Sequence, residues 1–365
     1  MRFSWLEEDK LMTILTSILA VVMSLIVGGI LILMAGTNPL VAYFYLANGA
    51  FGSVRNIAET LVKFTPLLLV GLGIAVAFKS RCFNIGAEGQ IYLGAVTATW
   101  LVTAYPETPV LLPLFFICGF LGGGLWALFP GIIKAKLGVS EVISTLMMNY
   151  VALWLTNYLL GPVGPLRDPN AGGQLISVVI PNSVQLHRWG GTRFHDGFWL
   201  ALLCAFLVYI LFSKTTLGYD IRAVGVNPKA ARYGGINVSK AVIISMFISG
   251  GLAGLAGAVE LSGIHHRLIY GFSPGYGWTG IAVALLGGLQ SFGIILSSLL
   301  MGGLLVGVDS MARHVDIPIF LSFVMQALVV LFLLAAEYLK RVSPSASIKQ
   351  VWLKITGFKR REKIG

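Results

Sequence analysis

Apolar runs of bilayer-crossing length recur along this chain, and they constrain its fold more than any other feature. A membrane-spanning helix needs about 20 apolar residues, and inside lipid a helix satisfies its own backbone hydrogen bonds. Nine stretches are apolar and close to that length: 11–34, 57–78, 85–105, 109–133, 142–161, 198–212, 241–259, 279–308 and 318–337. The eighth has 30 residues and contains Gly287, Gly288, Gln290, Ser291 and Gly293. That is too long for one span and marginal for two full ones, so it reads as two short or tilted helices, 276–289 and 291–308. The expectation is an all-α integral membrane protein with about ten transmembrane helices, some short or broken, and with both termini on one side.

The charged residues agree. Only 11% of the 365 residues are charged and 56% are hydrophobic, against about 25% charged and 45–50% apolar in soluble chains. This excludes an ordinary cytosolic enzyme, a disordered chain and a secreted disulfide scaffold. The formal net charge is nevertheless +11, so the basic surplus must be localised. With the N-terminus inside, 19 of the 26 Lys and Arg residues fall on the inner side, six on the outer side, and Lys63 within a span. That bias is the positive-inside pattern, and it makes both termini cytoplasmic. The segment 339–365 reads as a basic cytoplasmic tail, with anionic lipid as a candidate contact. Topology accounts for the surplus, and no nucleic-acid partner is implied. The first span follows Glu7, Glu8 and Asp9 rather than a basic segment, so it is expected to stay in the chain and not act as a cleaved signal. Cys82, Cys118 and Cys204 are odd in number and lie in or beside spans, which argues against a disulfide framework. One membrane domain over 1–365 is expected.

Three hydrophilic stretches are not explained by lipid. The outer loop 162–197 holds four prolines, several glycines and five charges, and reads as either a docking surface or a solvated loop. The inner loop 213–240 contains Val226-Asn-Pro-Lys-Ala-Ala-Arg-Tyr-Gly-Gly235. Asn227 is a favourable N-cap, and Pro228 suits the first helical position. Lys229, Ala230, Ala231, Arg232 and Tyr233 contain no breaker, and Gly234 or Gly235 suits the left-handed C′ position. A short capped helix there is more than a span connector needs, and could be a rigid knob for a partner protein. The third stretch, Phe83-Asn-Ile-Gly-Ala-Glu-Gly-Gln-Ile91, puts Asn84, Glu88 and Gln90 at the inner mouth of a span. Polar and ionisable groups there usually face the bundle interior. Gly86 and Gly89 permit close backbone approach or a helix break.

Several tempting patterns carry nothing. There is no G-x-x-x-x-G-K-[ST] loop. Gly275-x-Gly277-x-x-Gly280 matches a dinucleotide fingerprint but abuts a span without the required strand. His265 and His266 are adjacent, so they do not converge on one helix face, and no metal site is expected. Glu59 and Lys63 stand four apart and are expected to neutralise each other. Glu141 suits a helix N-terminus, and Glu260 falls at the outer end of its span. Gly250-x-x-x-Gly254 and Gly303-x-x-x-Gly307 indicate close helix packing.

Asn84-Ile-Gly-Ala-Glu-Gly-Gln90, with Gly94 one turn on, resembles the hallmark of bacterial ABC-transporter permeases for ribose-type sugars, branched-chain amino acids and nucleosides. Leu217–Ile236 (Leu-Gly-Tyr-Asp-Ile-Arg-Ala-Val-Gly-Val-Asn-Pro-Lys-Ala-Ala-Arg-Tyr-Gly-Gly-Ile) is similar to the same family's cytoplasmic coupling region. The stretch from Gly275 to Gly288 fits as well. The motifs run in the family's order over roughly residues 55–340. The 161–168 loop and the wording of the first motif look most like the longer of the two permeases of a nucleoside importer. The resemblance implies a non-enzymatic permease subunit in a bacterial cell membrane, with no cofactor of its own. ATP and Mg would sit on partner ABC ATPase subunits. A second permease, an extracytoplasmic substrate-binding lipoprotein, membrane lipid and a nucleoside would be the other partners. Residues 227–235 would couple to the ATPase. Asn84, Glu88, Gln90, Asn149, Phe272, Tyr276 and Trp278 are candidates for the substrate path. Gly86, Gly89 and Gly94 are candidates for helix breaking or packing. The alternatives are a permease for ribose-like sugars or branched-chain amino acids, and a stand-alone secondary transporter or channel. The last would need paired intramembrane ionisable groups for ion coupling, and the spans have few.

Overall fold

The computed structural model describes residues 22–106 and 110–315, with isolated helical positions between 324 and 335. Met1–Ala42 and Val315–Gly365 group as one unit and Tyr43–His314 as another. In the first unit the described chain forms α1 (Val22–Met34) and the start of α2 (Pro39–Phe51). The expected span 318–337 and the basic tail 339–365 lie outside the continuously described residues.

The second unit is helical throughout. After α2 come α3 (Val54–Lys79), α4 (Ala87–Ala104), α5 (Leu111–Leu137), α6 (Glu141–Leu160) and α7 (Gly197–Lys214). Then follow α8 (Thr216–Val226), α9 (Pro228–Tyr233), α10 (Val238–Glu260), α11 (Tyr276–Leu286) and α12 (Ser291–His314). Among the described residues there is no strand, only isolated bridges such as Arg167 with Ser177 and Arg188 with His195. Caps set several boundaries. The Ser53 hydroxyl accepts from the Asn56 N–H at the start of α3, and the Asn237 side chain accepts from the Lys240 N–H at the start of α10. α5 stops where Gly138 turns left-handed at φ +67°.

Five described helices are long and apolar enough to cross a membrane: α3, α5, α7, α12, and α10 with its extension to His265. Six qualify if α1 and α2 form one broken span. The chain is thus a multi-pass helical membrane protein, but the described spans that pass on composition are fewer than the ten expected. The expected span 318–337 and residues 11–21 of the first lie outside the described residues, and for the others the reason is polarity and length. α4 carries Glu88 and Gln90, α6 carries Glu141, Asn149 and Asn157, and α11 is only 11 residues long. The chain turns between α11 and α12 at 287–290, where Leu289 and Gly288 take positive φ. α8, which the sequence treats as loop, is a separate helix whose Gly218, Ile221 and Val224 face inward.

Burial ranks the helices. α3 and α10 are buried over 83% and 78% of their apolar windows, whereas α5, α7 and α12 reach only 39%, 33% and 44%. α3 and α10 therefore form the centre, and the others turn an apolar face outward, as lipid-facing helices do. Without water to drive helices together, close backbone packing does more of the work. Gly250 of α10 lies against Gly123 and Ala127 of α5, and Gly254 lies against Gly119 and Gly123. Gly94 of α4 meets Gly254 backbone to backbone, so three helices converge on one glycine cluster. Gly303 and Gly307 of α12 admit Phe51 and Leu46 of α2 in the same way.

Segment 162–197 is neither free loop nor linker. It lies along the end of α10, where the helix continues as a π-turn, Leu261–His265. The Arg188 guanidinium donates to the carbonyls of Gly263 (2.9 Å) and Ile264 (3.0 Å), which a widened turn leaves unpaired. The Leu186 N–H donates to the Ser262 carbonyl, and the Ser262 hydroxyl donates to the Val184 carbonyl. The Ser177 and Ile180 N–H groups donate to the carbonyls of Leu268 and His266. One end of the unit therefore carries this segment, the start of α3 and the end of α10. The opposite end carries Lys79, α8 and α9.

Candidate functional site

The glycine-rich stretch between α3 and α4 is an elbow buried inside the bundle. After α3 ends, 82–85 runs without helical bonding, and Gly86 leads into α4. Asn84 is fully buried. Its amide nitrogen donates to Gln90 Oε1 (2.9 Å) and to the Ser249 hydroxyl of α10 (2.8 Å). Its oxygen accepts from the Gly86 N–H and from Gln90 Nε2, both at 3.0 Å. Asn84 and Gln90 thus form a reciprocal amide pair that closes the elbow on itself. Asn149 of α6 makes a second closure. Its oxygen accepts from the Gly89 N–H (2.8 Å), and its nitrogen donates to the Ile85 carbonyl (2.9 Å). A Cβ on Gly89 would stand 2.9 Å from the Asn149 Cα, and one on Gly86 would stand 3.0 Å from the Thr145 carbonyl oxygen. The two glycines hold α6 and the elbow in register. Where the helix ladder is broken in a low-dielectric interior, side-chain amides supply the missing partners.

Glu88 ties this elbow to α11. Its carboxylate accepts from the Gly277 N–H at 2.7 Å, at the first turn of that helix. An acid from one broken helix therefore caps the start of another, which the helix dipole favours. Tyr276 is buried beside it, and its hydroxyl lies between Lys63 Nζ (3.0 Å) and Glu260 Oε1 (3.2 Å). The Phe272 ring packs on Tyr92 at 4.8 Å.

At the opposite end, α9 has the cap read from the sequence. Asn227 Oδ1 accepts from the N–H groups of Lys229 (3.0 Å) and Ala230 (3.2 Å), and Pro228 occupies the first helical position. Gly235, not Gly234, takes the left-handed conformation, at φ +83°. The helix has six residues and a single buried one, Ala231. Ala231 packs with Ala77 and Cys82 at the α3 end and with Val242 and Met246 of α10. Burial, reinforced by the nearby Glu141 carboxylate, pushes the Cys82 thiol up to about 12, so it stays protonated and unreactive. Lys229, Ala230, Arg232 and Tyr233 face outward, and Tyr233 is 94% exposed. α9 is thus an apolar foot set into the helix bundle with a basic, aromatic outer face.

The sequence-selected residues divide into three groups. Asn84, Gln90, Asn149 and Glu88 come together around the elbow, where their polar groups bond one another and nearby backbone. Tyr276 and Phe272 lie beyond them, deeper toward the segment 162–197. Trp278 does not join the group, and its side chain is 43% exposed. Residues 227–235 form a separate site.

Glu59 and Lys63 do not neutralise each other. Glu59 pairs with Arg193 (3.4 Å), and Lys63 bonds Tyr276. Tertiary partners displaced the helical neighbour. Glu141 is paired with Lys134 at 2.7 Å. Sequence reasoning missed a cavity of about 480 Å³ beside Lys63, lined mainly by charged and polar side chains of α3, α12 and Arg193. The signal available was the crowding of Arg55, Glu59, Asp309 and Arg313 at span ends. Nearby, His195 is 1% exposed. Burial, then the Arg188 charge, pushes its imidazole down to about 4. It is neutral at physiological pH, and its Nδ1 accepts from the Gly197 N–H at the start of α7 (3.2 Å).

Residues 56–334 match the profile of a family described as branched-chain amino acid transport system / permease component. The chain is 38% identical over 333 residues to the guanosine ABC transporter permease protein NupP of Bacillus subtilis, covering 90% of this chain and 95% of that one. It is 34% identical over 350 residues to the nucleoside ABC transporter permease protein NupB of Lactococcus lactis subsp. cremoris, covering 93% and 95%. The glucose ABC transporter permease protein TsgB13 of Haloferax volcanii is 34% identical over 335 residues, covering 89% and 88%. No solved structure matches the chain.

Proposed function

Since the chain belongs to the branched-chain amino acid transport system / permease component family, we propose that it is a membrane-spanning subunit of an ATP-driven importer whose cargo is a nucleoside. The observation that carries this is the likeness, over nine tenths of the chain, to permeases named for guanosine and for nucleosides. The chain sits in a bacterial cytoplasmic membrane with both termini inside, as the distribution of its basic residues indicates. It breaks no bond. Separate ATPase subunits hold ATP and Mg, a second permease completes the path, and an extracytoplasmic lipoprotein delivers the cargo.

In this reading α9 seats its outer face, Lys229, Arg232 and Tyr233, in a groove of the ATPase. Ala231, set against the α3 end and α10, passes ATPase movement into the bundle. The elbow lies next in line. Cys82 belongs to the same apolar cluster as Ala231, and two residues later Asn84 bonds α10. Glu88 then holds the start of α11. A shift of α9 thus acts on helices that meet at one braced junction. Such coupling needs an element with two arrangements, and discontinuous helices at a bundle centre are suited to that role.

The likeness to a glucose permease supports a second reading, in which the cargo is a sugar. Competition separates the two. In cells expressing the complete importer, uptake of a labelled purine nucleoside is expected to fall at least tenfold under a 100-fold excess of unlabelled nucleoside. It is expected to be unaffected by ribose, glucose or leucine at the same excess. Competition by a sugar and not by nucleosides would move the assignment to the second reading.

A further inference from the structure

We propose that the charged cavity beside Lys63 is where this permease reads the hydroxyl-bearing part of its cargo, the vicinal diol of a sugar ring. Glu59 and Asp309 serve as acceptors, and Arg193 and Lys63 as donors. The inference rests on the importer reading given above and adds to it a site and a recognised group.

The chemistry of the lining carries the argument. The cavity measures about 480 Å³, within the roughly 300–1,000 Å³ usual for small-molecule sites. Of its ten lining residues, Val306 and Gly49 are nonpolar, and the rest are Arg, Lys, Glu, Asp, Asn or Ser. Such a wall offers no apolar platform for a base. It offers donors and acceptors of both signs at short range. Carboxylates only accept, and guanidinium and ammonium groups only donate, whereas a hydroxyl does both. A vicinal diol can therefore satisfy a carboxylate and a cation together. A phosphate would match the arginines but face Glu59 and Asp309. An ammonium would match those two but face four cations.

The donors are also held in place. Lys63 Nζ is fixed on the Tyr276 hydroxyl (3.0 Å), and that hydroxyl lies on Glu260 Oε1 (3.2 Å). Glu260 is 2% exposed, and its carboxyl group reaches Lys63 through the Tyr276 hydroxyl and not through solvent. Its second oxygen has no hydrogen-bond partner among the described residues. Arg193 is fixed on Glu59 (3.4 Å). Lys63 and Glu260 are ionisable residues of the membrane-crossing helices α3 and α10, where such groups are costly and usually face a polar path. A preorganised first layer backed by a second is how a binding site achieves selectivity. By contrast, the polar atoms of Asn84, Gln90 and Asn149 are engaged in closing the elbow. The cavity also lies at the end carrying segment 162–197, the face on which cargo arrives in the proposed orientation.

The test is an uptake comparison with the complete importer, lipoprotein included. Michaelis constants are measured for a ribonucleoside and for its 2′,3′-dideoxy counterpart, in wild type and in Glu59→Gln and Asp309→Asn. Each variant is expected to raise KM for the ribonucleoside about tenfold, the loss of one charge-assisted hydrogen bond. KM for the dideoxy analogue is expected to stay within about twofold. The lipoprotein's own preference cancels, because it is the same in every arm. Glu59→Gln also loosens Arg193, so Asp309→Asn, on an exposed side chain, is the cleaner arm. An equal change for both nucleosides, or no change for either, overturns the proposal. Wild type that takes up neither nucleoside overturns the nucleoside cargo, on which this proposal rests.

Discussion

Leucine at Gly94 is expected to leave no stable permease in the membrane. A Cβ on Gly94 would overlap the Cα and carbonyl oxygen of Gly254, and would come within 2.5 Å of its carbonyl carbon. Every one of those atoms is backbone, so no side chain can swing away. Gly254 is itself confined by Gly119 and Gly123 of α5, which blocks retreat on the other side. Ordinary overpacking costs about 1–3 kcal/mol. Forcing apart three backbones at one crossing belongs to the exceptional class above about 4 kcal/mol. The measurement is the yield of folded, detergent-extracted protein and its thermal unfolding. The control is Gly234→Ala, where the nearest atom is the Ala231 carbonyl oxygen at 3.4 Å. It should match wild type within about 0.5 kcal/mol. A Gly94→Leu protein of normal yield and melting temperature would contradict the packing described.

The double variant Lys229→Asp with Tyr233→Ala is expected to separate ATP hydrolysis from transport. Both side chains are exposed on α9, while the helix is anchored by Ala231 and by the Asn227 cap, so the permease itself should fold and insert normally. Removing an exposed aromatic anchor and reversing a charge at a docking face typically costs about 2 kcal/mol or more of binding. That corresponds to roughly a 30-fold weaker seat for the ATPase. Uptake should fall by a similar factor, with ATP hydrolysis persisting in the assembled or free ATPase. Normal uptake in this variant would remove α9 from the coupling role. Ala231→Asp is the less informative change, because it would bury a charge in the cluster of Ala77, Cys82, Val242 and Met246.

What could be read from the sequence was what local chemistry dictates. Apolar runs announced long helices, because lipid imposes length and helix alike, but no run of that length announced α2 (Pro39–Phe51). α9 was legible because Asn227, Pro228 and Gly235 each act within four residues of where they stand. The elbow was visible as an oddity, since Asn84, Glu88 and Gln90 have no business among apolar residues. Its purpose was not visible. Asn84 finds Ser249 165 positions away and Glu88 finds Gly277 189 positions away, and no local pattern encodes such pairs. The same limit explains Glu59 and Lys63. Their spacing favours a pair on one helix, yet Arg193 and Tyr276, 134 and 213 residues distant, take them instead. The π-turn at Leu261–His265 carries no sequence signature, and it exists alongside Arg188, which receives the carbonyls it frees.

The most direct measurement is uptake by proteoliposomes containing this chain, its second permease and the ATPase subunits, with the binding lipoprotein outside. A labelled nucleoside is expected to accumulate inside only when the ATPase is supplied with ATP, and liposomes holding this chain alone are expected to accumulate none. Absence of ATP-driven nucleoside accumulation by the full assembly, or accumulation by the isolated chain, would contradict a role as one subunit of a nucleoside importer.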